Sequence, residues 1–115
     1  MENKKQYFLD QINKLKMSKE FIDAGIEAPN EISKTMTLDL CLTIYNKKQL
    51  VPAYIAVCPD EGLFVTYHNG LIELSFDVYN EGYIAGIVND NKKKKILFSE
   101  IVKDNLDTFF EVFKV

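Results

Sequence analysis

Arginine and tryptophan are absent from the chain, and histidine occurs once. Arginine's planar fork is the preferred donor to phosphate, carboxylate and guanine, so its absence argues against specific recognition of nucleic acid. Fourteen lysines against seventeen acids leave a net charge of −3, which points the same way. An AT-rich genome, which favours lysine, asparagine and isoleucine codons, is the plainer account of the bias. Cysteine is scarce too. Cys41 and Cys58 stand alone, one in a helical pattern and one at a strand end, and read as small buried hydrophobes rather than a disulfide. No apolar run approaches the ~18 to 20 residues of a membrane helix. The start, Met1-Glu2-Asn3-Lys4-Lys5, lacks the apolar region of a signal peptide. These absences lead to the expectation of a cytoplasmic protein without membrane, metal, cofactor or disulfide.

What remains is ordinary globular composition. The 115 residues, 47% hydrophobic and 27% charged, suit one domain spanning residues 1–115 with its own core. A first helix is expected from about Glu2 to Lys16, where Phe8, Ile12 and Leu15 recur at steps of four and three. Phe21 and Ile22 suggest a further turn that Gly25 ends. Pro29 stops what precedes a second helix, Asn30 is its expected N-cap, and Ile32, Met36, Leu40 and Ile44 form its stripe.

From Leu50 the apolar period falls from about four to two. Ala53 to Val57, preceded by Pro52, suits an edge strand. Pro59-Asp60-Glu61-Gly62 is turn chemistry, and Leu63 to Tyr67 is the next strand. His68-Asn69-Gly70-Leu71 is the strongest local signal, because Asn-Gly between alternating apolar residues favours a type I′ hairpin. That turn sets Tyr67 opposite Ile72, Val65 opposite Leu74 and Leu63 opposite Phe76, all apolar. Thr66 with Glu73 and Phe64 with Ser75 make the other face mostly polar. Asn80-Glu81-Gly82 leads into a strand from Tyr83 to Val88, Lys92 to Lys95 reads as a solvated tip, and Ile96 to Phe98 as a short strand. Ser99 is the expected cap of a last helix striped by Val102, Leu106, Phe109, Phe110 and Phe113. The result is an α+β fold: an antiparallel meander of four to five strands, with two N-terminal helices and one C-terminal helix packed mainly on one face.

Catalytic chemistry has little to work with. His68 stands at a hairpin corner with Glu73 as its neighbour on the same face, and a turn histidine is more often simply solvated. Glu73 and Asp77 lie ~13 Å apart along one strand at ~3.3 Å per residue, beyond the ~5 to 9.5 Å of a glycosidase pair. Gly82 and Gly86 precede no helix N-terminus that could hold phosphate. The functional reading that survives is a docking surface for a basic partner. It lies on the outward sheet face carrying Phe64, Thr66, Glu73, Ser75 and Asp77, with Tyr54 or Tyr79 beside the Phe64 anchor.

The elements from Pro29 to Val88 carry a resemblance. Pro29 before a helix, Pro52 before a short strand, the Asp60-Glu61-Gly62 turn, and Leu63-Phe64-Val65-Thr66-Tyr67-His68-Asn69-Gly70 resemble a loosely defined group of small bacterial proteins of unassigned function. The chain departs from that pattern at Leu63, where a glycine is expected, and at Tyr67, where tryptophan is usual. The resemblance implies the fold and no catalytic residue. Two function classes follow from the chain as a whole. One is a non-enzymatic protein-interaction module, such as an immunity protein, antitoxin or inhibitor. The alternative is a ligand-binding domain or enzyme using Tyr, Asp and Glu in a pocket between sheet and helices. The apolar stripe of the last helix also suggests a homodimer.

Overall fold

The computed structural model describes residues 3–114. Met1, Glu2 and Val115 lie outside them, and with them the expected helix start at Glu2. Helix α1 (Lys4–Asn13) begins where the Asn3 side chain accepts the Gln6 N–H at 3.1 Å, and it buries Phe8 and Ile12. The short α2 (Lys19–Asp23) is capped by Ser18 and ended by Gly25, whose φ of 74° is left-handed. Helix α3 (Glu31–Lys48) opens on a capping box between Asn30 and Ser33, with Lys47 and Lys48 at its negative end.

Five strands follow: β1 (Tyr54–Val57), β2 (Leu63–Asn69), β3 (Ile72–Val78), β4 (Ile84–Asp90) and β5 (Lys95–Ile101). They pair antiparallel in the order β1-β2-β3-β4-β5, a simple meander, before α4 (Leu106–Phe113) closes the chain. The core is one cluster. Val65, Tyr67, Leu74, Phe76, Val78, Ile84 and Val88 from one sheet face meet Phe8 of α1, Leu40, Cys41 and Ile44 of α3, and Phe109, Phe110 and Phe113 of α4. Both thiols are free and buried there or nearby, and burial pushes Cys41, set against Tyr67, up to about 12. The fold is therefore α+β with its packed helices on one face of a five-stranded sheet.

Four local expectations are corrected. The β2–β3 turn is centred on Gly70-Leu71, so Asn69 faces Ile72, Tyr67 faces Leu74 and Phe64 faces Asp77. Only Gly70 has positive φ (61°), which is the type II′ pattern. Asn69 stays extended because its side chain has another use: Nδ2 donates to the Phe113 and Lys114 carbonyls at 3.0 and 3.3 Å, capping the end of α4. Each β2 residue thus meets a β3 residue two further along, and a shift of two leaves both faces intact.

The inward stripe of α3 is Ser33, Thr37, Leu40, Cys41 and Ile44, leaving Ile32 exposed, because Ser33 bonds to Asn80 at 2.8 Å. Ser99 lies inside β5, which is longer than expected because a bulge lets it continue past Leu97. Asn105 takes the N-cap position of α4.

A β-branched residue at position 70 must adopt that left-handed φ, while a Cβ there meets nothing within 4 Å. Gly70→Val is therefore expected to cost about 1 kcal/mol or more from conformation alone. A urea midpoint lowered at unchanged m-value checks this, and an unmoved midpoint refutes the turn assignment.

Candidate protein-docking face

The sheet's second face takes no part in the core cluster. By register it presents Tyr54 and Ala56 from β1, Phe64, Thr66 and His68 from β2, and Glu73, Ser75 and Asp77 from β3. Ala85, Ile87 and Asn89 of β4, with Ile96, Ser99 and Ile101 of β5, complete it. Large apolar groups reach solvent here: Tyr54 is 46% exposed, Ile96 57% and Ile101 41%. They stand apart, Tyr54 on the edge strand β1 and Ile96 and Ile101 towards the two ends of the opposite edge strand β5, on the sheet face that the core cluster leaves open.

The five sequence-nominated residues do share this face, on the adjacent central strands β2 and β3. Phe64 is half-buried, with Tyr54 edge-on to it at 5.7 Å and Ala56 and Asp77 as its cross-strand neighbours. Thr66 differs from the rest. Its hydroxyl lies 3.1 Å from that of Ser75, and it has no accessible surface, being roofed by its neighbours.

The two carboxylates live in different surroundings. Glu73 lies 3.2 Å from His68 Nε2 and also accepts from Asn91 Nδ2 and Ser75 Oγ, both at 3.4 Å. It is held in a local polar network. Asp77 is half-buried, and no lysine reaches it among the described residues. Its loss of hydration raises its pKa above the ordinary value, the nearby Asp60 adds to this, and the Tyr79 hydroxyl opposes it. Tyr79 stacks on Tyr83 with centroids 4.4 Å apart, and its own hydroxyl is pushed up to about 12 by burial and then by Asp77. Tyr83, Ile87, Ile96 and Ile101 were not nominated from sequence. Their strands were legible, but a place on a common face emerges only once the pairing of β4 and β5 is fixed.

Both sheet edges are blunted. Strand β1 has four residues, follows Pro52, and has α1 beside it. Strand β5 carries the unpaired bulge residue Leu97, with exposed Lys95 and Glu100 along its length. Short strands, bulges and edge charges are the devices that prevent strand addition. The broad surface of the sheet outside the core cluster is therefore its open face rather than an edge.

One concavity does lie between sheet and helices, an open hollow of about 210 Å³ lined by Met36, Asp39, Leu40 and Thr43 of α3, Ile84 of β4 and Leu106 of α4. Beside it an open groove of about 300 Å³ runs between α3 and the β5–α4 connection, lined by Thr43, Lys47, Lys103, Asp104, Leu106 and Asp107. Lys47 and Asp107 pair across it at 3.7 Å, and it holds no histidine or cysteine. Among the described residues no three His, Cys, Asp or Glu side chains converge on a metal position, and no helix is long and apolar enough to cross a membrane. Comparison with family models, curated proteins and solved structures returned no match.

Proposed function

We propose that the protein is a non-enzymatic interaction module that docks another protein through the open sheet face, in the manner of an immunity protein, antitoxin or inhibitor. The observation that carries this reading is the contrast between the two sides of the sheet. One is sealed by three helices, while the other leaves Tyr54, Ile96 and Ile101 in water on a rigid five-stranded platform. Pairing along the whole length of β2, β3 and β4 holds such a surface in shape before binding, which lowers the ordering cost of association. Phe64 is the anchor, half-buried at the centre and edged by Tyr54 and Asp77. The resemblance to small bacterial proteins is compatible with this role and assigns no residue to it.

A ligand-binding or enzymatic role would have to use the ion-paired α3–α4 groove or the open hollow of Met36, Leu40, Ile84 and Leu106 beside it, and neither lining includes a histidine or cysteine. A homodimer through α4 would have to use the side opposite Phe109, Phe110 and Phe113, since all three are at most 1% exposed within the monomer.

Phe64→Ala, made in the native host as a tagged chain, is expected to reduce recovery of the bound partner at least tenfold while the thermal midpoint falls only modestly. Glu20→Ala on α2 serves as the control and leaves recovery unchanged. Equal recovery with Phe64→Ala and wild type overturns the docking assignment.

A further inference from the structure

Glu73 and Asp77 share the outer side of the central strand, yet their surroundings give them different roles. Glu73 already has His68, Asn91 and Ser75 as partners. Asp77 has one polar contact, the Tyr79 hydroxyl, and otherwise lies between the apolar ring of Phe64 across one strand boundary and the Ala85 methyl across the other, with a second carboxylate, Asp60, in its field. No paired strand position on this face is a lysine, although the chain holds fourteen basic residues, all of them lysine. The face is thus apolar and aromatic around an acidic centre, with no lysine among its described residues and His68 already set against Glu73.

We infer that the partner is a protein surface that places a lysine or arginine side chain on Asp77, its aliphatic stem lying along Phe64. The inference rests on the docking role proposed above and names the chemistry of the partner. An ammonium or guanidinium head suits the carboxylate, and the stem of either side chain covers apolar surface on its way there. The stacked Tyr79 and Tyr83 rings flank the same end of the strand and offer π-faces to a cation.

A second copy of this chain is a poor occupant for Asp77, because a two-fold axis crossing the middle strand β3 would lay β3 over β3 and set Glu73 and Asp77 against acidic positions of the other copy. Asp77 also accounts for its own presence in this way. Half-buried without a cation, its charged form works against folding, whereas a cationic partner turns the same group into an affinity determinant.

The test uses two probe peptides, acetyl-Phe-Lys-Val-Lys-Phe-amide and its counterpart with glutamate at both lysine positions, titrated into the ¹⁵N-labelled full chain. The lysine peptide is expected to shift the Phe64, Asp77 and Ala85 amides saturably, and the glutamate peptide is not. Asp77→Asn is expected to weaken the lysine peptide at least fivefold, and Glu73→Gln less than twofold. The titratable groups acting on Asp77 are Asp60 from the β1–β2 connection and Tyr79 from its own strand's end, the latter stacked on Tyr83. Binding should tighten as pH rises through the raised pKa of Asp77, because the carboxylate is the binding form, and Asp77→Asn should flatten that profile.

Equal effects of Asp77→Asn and Glu73→Gln overturn the inference, as do equal affinities for the two peptides or face amides that neither peptide moves. Concentration-dependent broadening of the face amides without peptide overturns it in favour of a second copy. If Phe64→Ala abolishes partner recovery while Asp77→Asn leaves peptide binding intact, docking stands and the cation assignment falls. If Phe64→Ala leaves recovery intact as well, both fall.

Discussion

Phe109→Ala is expected to lower stability by about 3–5 kcal/mol, the range for removing a fully buried phenylalanine. Phe109 has no accessible surface and meets Phe76 and Phe98 edge-on at 5.5 and 4.9 Å. Its ring also lies where a Cβ on Gly86 would stand, 2.6 Å from Cε1, so a glycine in the middle of β4 is what lets α4 approach the sheet. Truncation leaves a cavity that neither the strand backbone nor the neighbouring rings can fill. Total stabilities of small domains run to about 5–15 kcal/mol, so the variant should stand close to its unfolding threshold at 37 °C. Denaturant unfolding followed by far-UV circular dichroism reads the loss. A cost below about 1 kcal/mol would mean that α4 does not pack on β4 as described.

Asn80→Ala is expected to cost about 2–3 kcal/mol, with each neutral hydrogen bond contributing near 1 kcal/mol and stranded partners adding to the loss. Asn80 sits in the β3–β4 turn, 6% exposed. Its Oδ1 accepts the Asn30 N–H at 3.0 Å and the Ser33 hydroxyl at 2.8 Å, and its Nδ2 donates to the Ala28 carbonyl at 3.0 Å. The Asn30 side chain returns a bond to the Asn80 carbonyl at 3.1 Å. This knot fastens the start of α3 to the sheet. A double-mutant cycle with Ser33→Ala checks the mechanism. The two costs should fall short of additive by 0.5 kcal/mol or more, as for groups in one network, and strict additivity would rule the network out.

The same knot shows where the sequence could not be read. A period-four stripe through Ile32, Met36, Leu40 and Ile44 is a sound local pattern, but Ser33 turns inward because its partner stands 47 residues away. The hairpin miss has the same origin. Asn-Gly favours one turn locally, and the end of α4 recruits Asn69 for another purpose, a contact spanning 44 residues. In contrast, the sorting of the sheet into wet and dry faces survived the register shift, because alternation in Leu63–Tyr67 and Ile72–Val78 depends only on parity. The candidate face was legible to the same degree. Its central residues follow from β2 and β3 alone, and the coverage of Thr66 follows from neighbours on both sides. The distinction between Asp77 and Glu73 needed the approach of Asp60, Asn91 and Tyr79, which no local pattern encodes.

The stability effect of Asp77 and its binding effect run in opposite directions with pH, which separates them experimentally. A carboxyl whose folded pKa is raised stabilises the fold fully below its ordinary value of 3.8, and that contribution is lost as pH rises through the raised value. At neutral pH Asp77→Asn should therefore raise the thermal midpoint slightly, while weakening the docking of a cationic partner.

Site-specific photocrosslinking tests the docking account most directly. A benzoylphenylalanine placed at Ser75 or Ser99 on the open face, and in separate variants at Asp39 or Thr35 on the outer side of α3, is irradiated in the native host. Crosslinks to one discrete product from both sheet positions and from neither helix position are the predicted result. Crosslinks confined to α3, or an equal yield from all four positions, would contradict the assignment of the sheet face as the docking surface.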